Sequence, residues 1–484
     1  MTPLSPEQIQ TIATQISGML TREGASAPIT AQHSATAAPQ AVSGFGIFTD
    51  IDSAVEAAGK AQLALMEITL EKRKSIIAAI RREMLVHAED LAKRAHEETG
   101  LGRVEDKIQK NRLVSEKTPG TEILEPRVYT GDRGLTLIEL APYGVIGAIT
   151  PVTNPTSTII CNSIGMLAAG NTVVFNVHPS AKNVSIYNIQ LLNRVISEAG
   201  GPMNLITAIA EPSIESAQQM MTHQGIRLLV VTGGAGVVKA AMSSGKRAIC
   251  AGPGNPPVVV DESADIETAA RGIVAGASMD NNIICVDEKE VFVVDAVADS
   301  LLTALKRNSA VVLTPQQILR LEKVIFAATN GPGEAAKMEK SLIGKNVQFI
   351  LDKIGMRVEE SIRLAVLPVE KEHPLVWTEQ MMPLLPLVRM PNADAAIDIA
   401  KKAEHGFGHS AIMYSKNLDN LSRMARVMNC SIFVKNGPAY SGLGFGGEGY
   451  CSFSIASPTG EGLTSARHFS RDRRCVLVDH FRIV

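Results

Sequence analysis

The sequence predicts an α/β protein built on doubly wound parallel sheets. Three observations lead there. Short apolar runs rich in β-branched residues, at 145–149, 228–231 and 258–260, are bounded by turn residues and read as buried strands. Segments with helical apolar spacing lie between them, so strands and helices alternate. Short glycine turns, above all Thr232-Gly233-Gly234-Ala235-Gly236, join a strand to a helix. At 484 residues the chain also exceeds what one hydrophobic core holds, so two large domains are expected.

The first 23 residues hold one short helix. Ser5 caps it, Pro6 suits the first helical position and Gln8 completes a capping box. Ile9, Ile12, Ile16, Met19 and Leu20 then form a narrow apolar stripe. Residues 24–44 are a Pro/Ala/Ser/Thr/Gln linker that cannot build a core. The stripe therefore needs a docking surface, either on this chain's own body or on a partner.

Residues 50–99 are charged and helical, with an Arg/Lys/Glu-studded run over 70–91 whose polar faces are solvated. Residues 122–130 and 131–140 suit a hairpin before the turn at Pro142-Tyr143-Gly144. The strand at 145–149 leads into Thr150-Pro151-Val152-Thr153-Asn154-Pro155, and a strand at 171–177 ends at His178-Pro179-Ser180. The strand at 228–231 runs into the glycine turn and a helix from Val237. No GxGxxG is present. A glycine turn opening a helix after a strand still suits a phosphate, because free N–H groups and the helix dipole face the anion.

The segment 250–295 is the centre of the chain. A strand at 258–260 ends at Asp261, and a helix over 265–277 presents Ile266, Ala269, Ala270, Ile273 and Val274 on one face. The polar turn Met279-Asp280-Asn281-Asn282 then delivers Ile283-Ile284-Cys285 ahead of a strand at 290–294. A cysteine at such a junction, beside N–H groups not used in regular pairing, can have its thiolate stabilised. Composition alone favours an inert buried thiol. Cys161 and Cys430 sit at packing positions. Cys451 follows the glycine-rich loop 442–449 and is expected to be more exposed, which makes it the rival nucleophile.

Composition excludes several classes. A formal net charge of −2 leaves no footprint for nucleic acid and no polybasic membrane patch. No apolar run reaches the roughly 18 residues of a membrane span, and the start resembles neither a signal peptide nor an Arg-rich transit peptide. The six cysteines form no CxxC pair, which favours a reduced cytoplasmic protein with no zinc site.

Over roughly 45–484 the chain resembles the aldehyde dehydrogenase superfamily. The resemblance rests on the segment around Cys285, the TGGAG turn, His178-Pro179 and the motif Thr378-Glu379-Gln380-Met381-Met382-Pro383. It implies a cofactor domain over 45–249, a catalytic domain over 250–441 and a return segment over 442–484. It further implies an oligomerisation arm, in which a hairpin near 122–140 and a C-terminal strand near 475–478 pair with a neighbouring subunit of a homodimer or homotetramer. Cys285 would then attack an aldehyde, and the Asn154 side chain and the Cys285 backbone N–H would receive the oxyanion. The implied cofactor contacts are Thr153, His178, Pro179, Gly233, Gly234, Val237, Gly252, Glu379 and Pro383, with the pyrophosphate near Gly234 and the nicotinamide ribose held by Glu379. Ala181 stands where many NAD-dependent relatives carry glutamate, so NAD versus NADP is open on physical grounds, and the catabolic character of similar enzymes favours NAD. Met381 replaces a phenylalanine of the family motif.

Hydrolytic members carry a glutamate that activates water against the acyl-enzyme. The aligned position here is Cys250, a poor base. Water attack should then be slow, leaving the thioester on Cys285 for a thiol such as coenzyme A. The sequence Gly252-Pro253-Gly254-Asn255 and the stretch His405-Gly406-Phe407-Gly408-His409-Ser410 resemble the CoA-acylating subclass. His409 would tune the thiol or bind a phosphate, or be a structural histidine. The N-terminal arrangement resembles the peptides that carry enzymes into bacterial microcompartments by packing on shell proteins. The expectation is NAD-dependent, CoA-acylating oxidation of a small aldehyde, propionaldehyde first and acetaldehyde second, inside a cytoplasmic microcompartment. A hydrolytic aldehyde or semialdehyde dehydrogenase, a phosphate-activated reductase and a non-catalytic scaffold are the alternatives.

Overall fold

The computed structural model describes residues 44–484, so the helix expected over 1–23 and nearly all of the linker over 24–44 lie outside the described residues. Two all-parallel sheets organise the rest. The first has six strands in the order Ile47–Phe48, Ile206–Ile209, Thr172–Asn176, Val145–Ile149, Ile226–Thr232, Ala248–Ala251. The second has seven, in the order Ala310–Val312, Leu364–Pro368, Leu384–Met390, Glu290–Val294, Pro257–Val260, Ser410–Tyr414, Ile432–Lys435.

Alternation of side chains along each strand feeds two separate packing layers, which explains why these strands read as continuous apolar runs. In the first sheet Val173, Phe175, Leu228 and Val230 pack on one side with Ile159, Ile160 and Ile189. Val174, Leu229 and Val231 face the other side, against Ile51, Val55 and Met220. In the second sheet Val258, Val260, Val291 and Val293 pack with Ile273 and Leu301, whereas Val259 and Phe292 pack with Ile397 and Met424. Helices on both faces of each sheet make the expected doubly wound architecture.

Local chemistry sets the helix ends. Asp50 and Thr69 cap Ile51–Glu67 and Leu70–Val86 by accepting from Ser53 and Lys72 backbone N–H groups. The charged run expected over 70–91 breaks at His87, which accepts the start of a separate helix, Ala88–Thr99. Asp265 caps Ile266–Ala277, accepting from Thr268 N. The chain passes from the first sheet to the second through residues 252–256, directly after Ala248–Ala251.

The third sheet holds both the anticipated hairpin and the C-terminal strand. Arg127–Gly131 pairs antiparallel with Gly134–Pro142, the anticipated hairpin, but Gly134–Pro142 also pairs along its whole length with Ser470–Val478. The C-terminal strand therefore completes the hairpin of its own chain. Among the described residues no helix is long and apolar enough to cross a membrane.

Candidate active site

Four neighbouring strands of the first sheet, from Thr172–Asn176 to the edge strand Ala248–Ala251, end in loops that together wall a cavity of about 480 Å³. Thr150–Asn154 follows one strand, Val177–Pro179 a second, Thr232–Gly236 a third and Gly252 a fourth. The order of the sheet reverses direction at Val145–Ile149, and a crevice outside the carboxyl ends of strands at such a point is where α/β sheets bind ligands. Cys285, Glu379 and Met381 close the cavity from the second sheet's side.

The glycine turn suits a phosphate-bearing nucleotide. Gly234 is the N-cap of Ala235–Met242 with no side-chain cap, so first-turn N–H groups lack a side-chain partner. A Cβ built on Gly234 or Gly236 would meet nothing within 4 Å, which leaves the backbone open to an approaching anion. At Gly233 a Cβ would come 2.8 Å from Val237 Cγ1, so only glycine lets the turn pack on that helix. His178 and Pro179 line the same cavity, and no carboxylate stands beside them in its lining.

Cys285 sits on a heavily braced turn. Asp280, Asn281 and Asn282 all adopt left-handed φ, at 47°, 56° and 66°, a region that short polar side chains tolerate best. Each has a buried partner. Asn281 Nδ2 donates to Gly344 O at 2.9 Å, and Asn282 Nδ2 donates to Ala277 O and Glu288 O at 2.8 and 2.9 Å. The Lys289 ammonium donates to Asn282 O and Oδ1 at 2.8 and 2.7 Å, and to Ile284 O at 3.2 Å. Asp287 Oδ2 accepts from Ile284 N at 3.0 Å. These bonds offset the strain and fix the sulfur's position.

The expectation of a stabilised thiolate is not met in the free protein. Burial pushes the Cys285 thiol up to about 12 and the Glu379 carboxylate pushes the same way, outweighing the Lys289 ammonium and the cysteine's own N–H. At neutral pH the sulfur is protonated. Iodoacetamide alkylation of Cys285 in the free protein is therefore expected to accelerate about tenfold per pH unit from pH 7 to 10. A rate already level at pH 7 would contradict this.

Asn154 enters the cavity from the first sheet. It is buried and precedes Pro155, the first residue of Pro155–Ala168. Its Oδ1 accepts from Lys110 Nζ at 2.6 Å and its Nδ2 donates to Thr153 Oγ1 at 3.1 Å. Lys110 also pairs with Asp280, as does Lys107 at 3.0 Å. Both lysines are buried on Val104–Lys117. Sequence reasoning missed Lys107, Lys110, Asp280 and Lys289, because charged residues on a charged helix or beside a strand read as solvated.

The other expectations divide. Thr153, Asn154, His178, Pro179, Gly233, Gly234, Val237, Gly252, Cys285 and Glu379 all line the cavity. Glu379 accepts from Gly254 N at 3.3 Å, and burial raises its carboxyl. Pro383 does not line it; it precedes Leu384–Met390, and its carbonyl accepts from Ala365 N at 3.0 Å. His409 is wholly buried outside the lining, with Nδ1 on Ser410 Oγ at 2.7 Å and burial holding it neutral near 4. Its ring lies against Gly254, where a Cβ would stand 3.0 Å from His409 Cγ and 2.7 Å from Cys285 O, so it packs beside the turn that carries the nucleophile. Cys451, expected near the surface, is wholly buried and burial holds its thiol well above the usual range. Cys250 is equally buried, its thiol raised to about 11 by burial and then by Glu461.

The model of the aldehyde dehydrogenase family matches residues 46–463. The acetylating acetaldehyde dehydrogenase EutE of Escherichia coli is 51% identical over 445 residues, 92% of this chain and 95% of that protein. A propionaldehyde dehydrogenase from the fucose-utilisation microcompartment of Clostridium phytofermentans superposes with a TM-score of 0.88 at 47% identity, covering 91% of this chain and 100% of that one. A Rhodopseudomonas palustris propionaldehyde dehydrogenase, solved with bound CoA and an acylated cysteine, superposes with a TM-score of 0.87 at 48% identity, covering 90% and 99%.

Proposed function

Because the chain belongs to the aldehyde dehydrogenase family, we propose that it oxidises a short-chain aldehyde, propionaldehyde first, with NAD and passes the acyl group to coenzyme A. The observation that carries this reading is that Cys285 and Asn154 line one cavity, while residue 250, where a hydrolytic member has its base, is a buried cysteine outside that lining. A thiol protonated throughout the neutral range cannot activate water. Glu379 is the one carboxylate among the lining residues, and we assign it to the nicotinamide ribose.

On this reading the first sheet carries the cofactor and the second the nucleophile. Cys285 adds across the aldehyde carbonyl: Sγ bonds the carbon, the C=O π pair moves to the oxygen, whose growing charge lies between Asn154 Nδ2 and the Cys285 backbone N–H, and the thiol proton ends on that oxygen as the thiohemiacetal forms. The open backbone at Gly234 and Gly236 receives the pyrophosphate, with His178 and Pro179 beside the adenosine ribose. When bound, the nicotinamide supplies the hydride acceptor. Cys285 is left as a thioester, shielded from water by Met381, Phe453 and Ile455 and open to a thiol entering the same cavity. The test is product analysis after incubation with aldehyde and NAD. Propionyl-CoA formed only when CoA is present is expected; propionate formed equally fast without CoA overturns the reading.

Acetaldehyde is the second reading, favoured by the 51% identity to an acetylating acetaldehyde dehydrogenase. One methylene in an apolar pocket is worth roughly 10- to 200-fold, so kcat/KM for the two aldehydes separates them. The same comparison for NAD and NADP tests the cofactor assignment.

Residues 1–23 are assigned to docking on microcompartment shell proteins, in line with the microcompartment origin of a structure 47% identical to this chain. Deleting them is expected to leave activity in solution unchanged and to abolish co-purification with shells; undiminished co-purification contradicts the assignment. The exposed edge of Arg127–Gly131 and the apolar side chains Val128, Tyr129, Val476 and Val478 support assembly into a homodimer or homotetramer through this arm.

A further inference from the structure

We propose that Lys110 is a positioning residue that sets the polarity of the oxyanion site and ties it to the turn bearing Cys285. The proposal rests on the assignment of Cys285 as nucleophile and Asn154 as oxyanion donor.

An ammonium only donates, so the Asn154 carboxamide can present only its oxygen to Lys110. That choice turns Nδ2 away from the lysine. One Nδ2 hydrogen goes to Thr153 Oγ1, and the other is left for the cavity that Asn154 lines. In the opposite orientation Nδ2 would face a cation and the cavity would receive an oxygen lone pair, which repels a developing oxyanion. Without Lys110 neither orientation is enforced from behind.

The same ammonium reaches the nucleophile's turn through Asp280, five residues before Cys285 in the sequence. Asp280 Oδ1 also accepts from Arg103 N at 2.6 Å, and Lys107 Nζ lies 3.4 Å from Thr153 O. Both lysine side chains are at most 4% exposed and Asp280 is 0% exposed, so these bonds are made in a low-dielectric setting where their geometry is costly to disturb. The Asp280 carboxylate fits against Gly102, where a Cβ would stand 1.9 Å from Oδ1. Three separate chain segments are thus held by one buried charge cluster: the helix Val104–Lys117, the 153–154 corner of the first sheet, and the turn before Cys285. With Lys110 gone, Lys107 and the Arg103 N–H still hold Asp280 and its turn, so the loss should hurt the step that forms an oxyanion and spare chemistry at the same sulfur that forms none.

The test uses the full-length enzyme and the variants Lys110→Met, Lys110→Arg, Asn154→Ala and Lys110→Met/Asn154→Ala. Two rates are read: single-turnover NADH formation, which passes through the oxyanion, and iodoacetamide alkylation of Cys285, which does not. Asn154→Ala is expected to slow NADH formation about 10²- to 10³-fold. Lys110→Met is expected to slow it about tenfold or more, with aldehyde KM held within about threefold. The double variant should be no more than about twofold slower than Asn154→Ala, and alkylation should stay within about twofold in all variants. Lys110→Arg, which keeps a buried donor cation, should recover part of the lost rate. If the methionine variant does not fold, Lys110→Gln carries the same pair of measurements. Additive losses in the double variant, or alkylation falling in step with NADH formation, overturn the proposal. Wild-type NADH formation in Asn154→Ala overturns the site assignment itself, and the proposal with it.

Discussion

Cys285→Ala is expected to abolish aldehyde oxidation, by at least about 10⁴-fold, while the protein still folds and still binds NAD. All six cysteines lie within the described residues, and Cys285 alone lines the cavity. Cys161, Cys250 and Cys451 are buried in cores, Cys430 is half-buried ahead of Ile432–Lys435, and Cys475 is exposed on Ser470–Val478. None of these reaches a bound aldehyde. Cys451→Ala should therefore keep turnover near the wild-type level and cost only about 1 kcal/mol of stability from the lost packing. Kinetics and thermal melts of both variants decide the matter. Activity retained in Cys285→Ala and lost in Cys451→Ala would displace the assignment.

Asn154→Ala is the next largest effect. Removing one of two oxyanion donors should lower kcat by about 10²- to 10³-fold, roughly 3–4 kcal/mol, with little change in NAD affinity. The remaining backbone N–H of Cys285 sustains the residual rate. The variant leaves Lys110 bonded to Asp280, so the turn should keep its place and the melting temperature should move little. An unchanged kcat would show that charge on the aldehyde oxygen is met elsewhere.

The frame around both residues was legible in the sequence, whereas the roles assigned to them rest on another ground. The strands at 145–149 and 290–294 match the folded ones because they are buried on both faces and bounded by turn residues. The roles of Asn154 and Cys285 came from resemblance; by residue type alone Asn154 fits a turn equally well and Cys285 fits a core thiol better. What stayed hidden depends on contacts made far along the chain. Lys110 and Asp280 are 170 residues apart, and nothing local marks either as buried. Cys451 follows a glycine-rich loop, yet it packs in the large core shared by both sheets and its N–H donates to Lys117 O at 3.0 Å. The C-terminal strand is a strand as expected, but its pairing with Gly134–Pro142 of its own chain was not legible, because alternation specifies a face and not which neighbour supplies the ladder. The raised thiol was hidden too, since it depends on burial and on Glu379, brought to the same side of the cavity from far along the chain.

The central claim is that Cys285 holds an acyl group which water releases poorly and a thiol releases well. Mixing the enzyme with excess propionaldehyde and NAD in the absence of CoA, and following NADH against time, tests it most directly. The account predicts a burst approaching one NADH per subunit, then a near halt that ends at once when CoA is added. Steady NADH formation from the first turnover, indifferent to CoA and accompanied by propionate, would contradict it.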